Sequence, residues 1–139
     1  MIKFAIKGDP KSKQRPIFSN KNGKVRVFTG KSTSSFENLV KMHAQKHIDK
    51  PFDSAVGMHI KFFLHRPKYL MWKTKPMPAI YNPRRPDLDN LIKSVVDGLN
   101  GVAFKDDAQI VSMQAEKMYH SGEGGSRTEI EIWKEEDLK

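Results

Sequence analysis

The sequence predicts a single α+β domain: a mixed β-sheet of about four main strands carrying two principal helices. Three observations lead there. A chain of 139 residues that is 37% hydrophobic can bury one core, and division into two domains is not expected. Several segments alternate apolar and polar residues with the period of a strand, and two longer segments carry the wider spacing of a helix. The domain is expected to span residues 1–133, with 134–139 as a frayed tail.

In chain order, Ile2, Phe4 and Ile6 alternate with Lys3, Ala5 and Lys7, the pattern of a half-buried strand that stops at Gly8-Asp9-Pro10. A basic, turn-rich stretch follows, with Lys21-Asn22-Gly23-Lys24 as a hairpin tip before a short strand at Val25–Phe28. Residues 31–50 form a helix through Phe36, Leu39, Val40, Met42 and Ala44, with cap candidates at Ser32 to Ser35 and an end at Pro51. Residues 55–66 place Val56, Met58, Ile60, Phe62 and Leu64 on one face of a long strand. Five of the eight prolines fall within 67–86, which marks a loop. Asp87–Asn100 is the second helix, apolar along Leu88, Leu91, Ile92, Val95, Val96 and Leu99, with Gly101 just past its end. The pattern around Ala108–Ala115 suits a strand covered on both faces. After the Gly122–Gly125 turn, Thr128–Trp133 alternates as the last strand.

Composition narrows the function. There is no cysteine, which removes disulfides, thiolate zinc sites and cysteine nucleophiles together. Any metal must bind through oxygen or histidine. No apolar run is long enough to span a membrane, and the N-terminus lacks the core of a secretion signal, so a cytoplasmic protein without a membrane partner is expected. The formal charge of +9 conceals an uneven distribution: residues 1–86 carry +15, and residues 87–139 carry −6. The first part has the field of a polyanion binder, and the acids begin abruptly at Asp87.

Those acids are the candidate chemistry. Asp87-Leu88-Asp89 begins the second helix, and Asp106-Asp107 begins a strand after it. Carboxylates are hard ligands suited to Mg²⁺ or Mn²⁺. The intervening helix allows both pairs to meet at one edge of the sheet, where their repulsion calls for a cation. Alone, either pair reads more readily as a helix cap or a turn; together, following the +15 segment, they favour the metal site. Lys93 lies one helical turn after Asp89 and is placed either in an ordinary ion pair or on a phosphate. Asp97 continues the spacing and is expected to pair with Lys93.

Pro86-Asp87-Leu88-Asp89-Asn90-Leu91-Ile92-Lys93, Val96-Asp97-Gly98-Leu99-Asn100-Gly101 and Phe104-Lys105-Asp106-Asp107-Ala108-Gln109-Ile110-Val111 together resemble the RusA family of Holliday-junction resolvases, its phage and prophage members especially. Gly8-Asp9-Pro10, Lys13-Gln14-Arg15-Pro16 and Arg127–Ile132 are similar to the family's opening and closing elements. The resemblance implies a homodimeric, Mg²⁺-dependent endonuclease of DNA recombination and repair, one that binds four-way junction DNA and resolves it by paired incisions. It further implies that Asp87, Asp89 and Asp107 are the metal-binding carboxylates, with Asp106 as a further candidate ligand, and that Lys93 is the catalytic lysine. The position before the acids is Pro86 rather than a base, with Arg84 and Arg85 shifted upstream. Hydrolysis of this kind draws its activation from the metal and needs no His or Ser nucleophile.

DNA contacts are assigned to Lys11, Lys13, Gln14 and Arg15 in the first loop, with Lys21, Lys24 and Arg26 on the hairpin, because phosphate contacts dominate most DNA interfaces. Lys73, Lys75, Arg84 and Arg85 extend the set. Tyr69 and Trp72 offer stacking surfaces for unpaired bases, although packing back on the domain is the slightly favoured reading. His43 and His47 are an i,i+4 pair without the Glu of a zinc motif, read as a polar or partner-facing helix edge. Two other readings stay open: a catalytically silent junction-binding protein, and a metal-dependent nuclease of flaps or forks.

Overall fold

The computed structural model describes the chain except residues 14–16, 22, 29–30, 74–76 and 137–139, and describes 17–21, 24–28 and 31–34 by their backbone alone. The strands are β1 (Ile2–Lys7), β2 (Ile17–Lys21), β3 (Lys24–Phe28), β4 (Val56–Leu64), β5 (Ile80–Tyr81), β6 (Ile110–Tyr119) and β7 (Arg127–Lys134); the helices are α1 (Lys31–His47) and α2 (Leu88–Leu99). Five strands form one mixed sheet in the order β1-β7-β4-β6-β5, and β2 and β3 form a separate hairpin. Among the described strands β4 and β6 are the parallel pair; β1 and β4 each pair antiparallel with β7. The expected α+β class is the observed one, with four long strands and a two-residue fifth that hides among the prolines.

One face of the sheet carries both helices. Phe4 and Ile6 of β1, the five alternating apolar residues of β4, and Ile130 and Ile132 of β7 meet Phe36, Val40 and Ala44 of α1 and Leu91, Val95 and Leu99 of α2 in a single core. Burial of this apolar area is the main stabilising term, at roughly 25 cal/mol per Å². Helix α1 ends at His47, before the expected Pro51; the His47 ring stacks on Phe4 with centroids 5.2 Å apart. Helix α2 stops as its sequence requires: Gly101 takes φ +84° beyond the end, a left-handed conformation glycine adopts without a side-chain clash.

Strand β6 departs from expectation. A bulge at Val111 shifts its register against β4, where Val56 pairs with Ile110 and Gly57 already pairs with Ser112. The extra residue reverses the alternation. Met113 and Ala115 therefore face the core, whereas Val111, Ser112 and Gln114 are exposed, so the strand is not covered on both faces. At the other end of the chain, Glu135 N–H still donates to the Ala55 carbonyl, which keeps the backbone attached two residues past Trp133.

The two helices touch at Gly98. A β-carbon there would lie 2.8 Å from both the Glu37 carbonyl oxygen and the Val40 Cβ. Helix propensity alone favours alanine over glycine by about 0.8–1.0 kcal/mol, but overpacking typically costs about 1–3 kcal/mol. One obstacle here is backbone, which cannot swing aside. Gly98→Ala is thus expected to lower stability by about 1–2 kcal/mol in denaturant unfolding; a stabilised variant would contradict this packing.

Candidate active site

Helix α2 presents its chemistry along one edge. Asp87 is the N-cap residue, and its carbonyl accepts the first helical bond from Leu91 N–H (3.1 Å). Its side chain makes no cap hydrogen bond, so the carboxylate is exposed and not spent on the helix. Asp89 is also exposed, and among the described residues its Oδ1 accepts from the adjoining Asn90 N–H at 3.0 Å. A carboxylate in the first turn is favoured by the helix dipole. Lys93 is exposed one turn further.

Asp106 and Asp107 come from a 3₁₀ turn, Asp107–Gln109, that feeds β6. Asp106 has local work, since its Oδ1 accepts from Ala108 N–H at 3.2 Å. Gln109 answers it. Its Oε1 accepts from Lys105 and Asp106 N–H, and its Nε2 donates to the Phe52 and Ser54 carbonyls at 2.7 and 2.9 Å. The Asp-x-x-Gln spacing is the signal for this reciprocal cap, and it holds Asp107 outward.

The two neighbouring carboxyls are shifted in opposite directions from the ordinary carboxylate range. The Ala108 N–H, followed by the hydrogen bond with Asp107, holds Asp106 below the ordinary carboxylate range. That same hydrogen bond, then burial and the charges of Asp106 and Asp97, hold Asp107 above it, while Lys93 acts against the rise. Lys93 and Asp97 are therefore within electrostatic reach of Asp107. Carbon-detected NMR should show Asp107 titrating above Asp106, and Asp106→Asn should move the Asp107 midpoint down, because it removes a negative neighbour. An unmoved midpoint would contradict the pairing.

Asp97 does not pair with Lys93 as the spacing suggested. Its Oδ2 lies 3.0 Å from Lys13 Nζ, which also donates to Glu37 Oε1 at 2.7 Å. Backbone contacts bring Lys13 there: Lys13 N–H donates to the Asn90 carbonyl (2.9 Å), and buried Ser94 donates through Oγ to the Lys11 carbonyl (2.6 Å). Partial burial is the largest single influence on the Lys13 ammonium and opposes its charge, but Glu37 and Asp97 together outweigh it and raise its pKa. The first loop is thereby strapped across α2, with Lys13 joining α1 to α2.

Among the described residues, no three His, Asp or Glu side chains stand close enough together to hold a metal ion. The structure joins Asp106 to Asp107 and brings Asp107 near Lys93 and Asp97. It does not gather Asp87, Asp89 and Asp107 into one ready-made ligand set. In donor chemistry these oxygens suit a hard divalent cation.

Upstream of Asp87 the chain is tightly held. Lys117 of β6 donates through Nζ to the Arg84 and Pro86 carbonyls at 2.5 and 2.6 Å, and Arg84 N–H donates to Asn82 Oδ1 at 2.8 Å. The Arg85–Pro86 peptide is cis. Arg84, Arg85, Lys11 and Lys73 are exposed; Gln14, Arg15 and Lys75 lie outside the described residues, and of Lys21, Lys24 and Arg26 only the backbone is described. Tyr69 and Trp72 do not pack back on the domain, being 69% and 49% exposed. Their neighbour Arg66 takes the buried role instead, donating to the Leu70, Pro78 and His120 carbonyls. Sequence reasoning missed Lys117, Asn82 and Ser94; their partners lie 33, 2 and 83 residues away, and only the Asn82 turn is local enough to have been read.

The Endodeoxyribonuclease RusA family matches residues 7–133, a span that holds every acid and base of this edge. The chain belongs to the RusA endodeoxyribonuclease family. Two relatives resemble this RusA-family protein over nearly their full lengths. The uncharacterized protein YqaN of Bacillus subtilis (strain 168) is 32% identical over 124 residues, covering 85% of this chain and 87% of that protein. The crossover junction endodeoxyribonuclease rusA of Lactococcus phage r1t is 27% identical over 140 residues, covering 94% and 95%. Among the described residues no helix is long and apolar enough to cross a membrane.

Proposed function

We propose that this protein is a Mg²⁺-dependent endonuclease that binds four-way DNA junctions as a homodimer and resolves them by paired incisions, in DNA recombination and repair. The observation that carries the reading is the family match over residues 7–133, which includes the exposed carboxylates of α2 and the turn before β6. The likeness to a phage crossover junction endodeoxyribonuclease supports the choice of substrate. Two-fold symmetry would give each of two opposed strands its own site.

Asp87, Asp89 and Asp107 would hold the cation, with Mn²⁺ as a possible substitute. Asp106 would hold Asp107 in place through their shared hydrogen bond. When bound, the cation would supply Lewis acidity at the scissile phosphate and activation of the attacking water. Lys93, within electrostatic reach of Asp107, would offer an ammonium to the negative charge that grows on the phosphoryl oxygens. Lys11, Lys73, Arg84 and Arg85 neutralise flanking phosphates, and the strap through Lys13 keeps the first loop aligned with α2. A cation held among these acids would offset their mutual repulsion.

The test is incubation of purified protein with a synthetic mobile four-way junction, a flap and a linear duplex, with and without Mg²⁺. The junction is expected to be cut first and only with the cation. A gel shift without product would support a silent binder, and flap cleavage at least as fast as junction cleavage would support a different nuclease. Binding should weaken steeply with salt, by about 0.9 in log K per neutralised phosphate per decade.

A further inference from the structure

A cavity of about 400 Å³ opens between the Asp9–Ser12 segment, the end of β4 and residues of the 82–86 segment that leads into Asp87. It falls within the size range of ordinary small-ligand sites, about 300–1,000 Å³. Leu64 and Tyr119 give it an apolar lining, Tyr69 stands among its lining residues with most of its ring exposed, and Asn82 contributes an amide. Asn82 is only 6% exposed. Its Oδ1 is taken by Arg84 N–H, which fixes the amide orientation and leaves Nδ2 as a donor with no hydrogen-bond partner among the described residues.

These features do not suit a phosphate alone. An anion gains nothing from the apolar part of the lining, and the Asp9 carboxylate opposes it, although Lys11, Arg84 and Arg85 supply cations there. They suit a flat, apolar-faced group bearing a hydrogen-bond acceptor, attached to phosphates that the arginines can hold. Resting on the junction-cutting reading above, we propose that the cavity receives one nucleobase unstacked at the point of strand exchange, with Tyr69 as its stacking partner and Asn82 Nδ2 reading an acceptor on its edge. The occupant then decides which step is presented to the acids. Base stacking on aromatic side chains tolerates any base, whereas a fixed donor discriminates.

The experiment compares cleavage of a set of junctions that differ only in the nucleotides at the crossover, for the full chain and for Tyr69→Ala and Asn82→Asp. Asn82→Asp keeps the acceptor for Arg84 N–H and replaces the donor by an acceptor, so the turn survives while the reading group is inverted. The wild type should cut some crossover sequences at least tenfold faster than others. Tyr69→Ala should flatten that range by about tenfold, and Asn82→Asp should change the order of preference toward bases that present an amino group. A 2-aminopurine placed at the crossover should change fluorescence on binding to the wild type and lose most of that change with Tyr69→Ala. Equal cutting of every sequence by the wild type overturns the proposal. So does a uniform loss across all sequences in both variants, which would make the cavity a backbone site. In those two outcomes junction cutting itself still stands; a wild type that neither binds nor cuts four-way junctions overturns the proposed function, and the base pocket with it.

Discussion

Asp89→Asn is expected to leave junction binding intact or tighter and to reduce cleavage by about 10³-fold or more, equivalent to about 4 kcal/mol at 1.36 kcal/mol per decade. The carboxylate is exposed in the first turn of α2, and among the described residues its hydrogen bond is with the adjoining Asn90 N–H. Asparagine can keep that contact, so the fold has little to lose. What disappears is a negative charge that would repel the phosphate backbone in the absence of a cation and hold the cation when one is bound. Binding by gel shift and cleavage under single-turnover conditions separate the two effects. Loss of binding together with cleavage would mean that Asp89 shapes the surface rather than the chemistry.

Lys93→Met carries the second large effect, a fall in cleavage rate of about 10²–10³ with only a modest change in affinity. Methionine preserves most of the apolar stem on this helical position and removes the ammonium alone. Because Asp97 is already engaged by Lys13, Lys93 is not needed to balance that acid. Its charge is available to a phosphate, and it acts on Asp107 by favouring the ionised form. The variant should therefore also raise the Asp107 pKa further. If Lys93 merely contacted the DNA backbone, the variant would lower affinity evenly, reduce the salt slope by about one phosphate, and spare the rate of bound substrate.

The periodic parts of this chain were legible and the tertiary exceptions were not. Alternation in β4 and the apolar stripe of α2 located both elements within one residue or two, because one face of each is buried against the other. Strand β5, two residues long, is too short to carry a period. The expectation that β6 is covered on both faces failed at Val111, since a single bulge changes the face of every later residue. Helical spacing pointed Asp97 at Lys93, but a backbone bond between Lys13 and Asn90 brings a better-shielded ammonium to it. Tyr69 and Trp72 were expected to pack inward, yet Arg66 occupies the buried position behind that loop. The acid pairs were visible as residues; that Asp106 serves the turn while Asp107 feels the charges of Lys93 and Asp97 is a matter of the fold.

The sign change at Asp87 acquires a physical location in this arrangement. The exposed bases Arg84 and Arg85 and the exposed acids Asp87 and Asp89 are consecutive along one edge, with Lys117 fastening the backbone between them. Under the proposed reading, phosphate binding and phosphate cleavage would fall to neighbouring parts of the same segment.

The most direct measurement is cleavage of a four-way junction labelled in turn on each of its four strands, with the products resolved on a denaturing gel and then treated with DNA ligase. Cuts at matching positions in two opposed strands, dependent on Mg²⁺ and giving ligatable nicked duplexes, are the predicted result. Cuts confined to one strand, or unaffected by Mg²⁺ and by Asp89→Asn, would contradict the account.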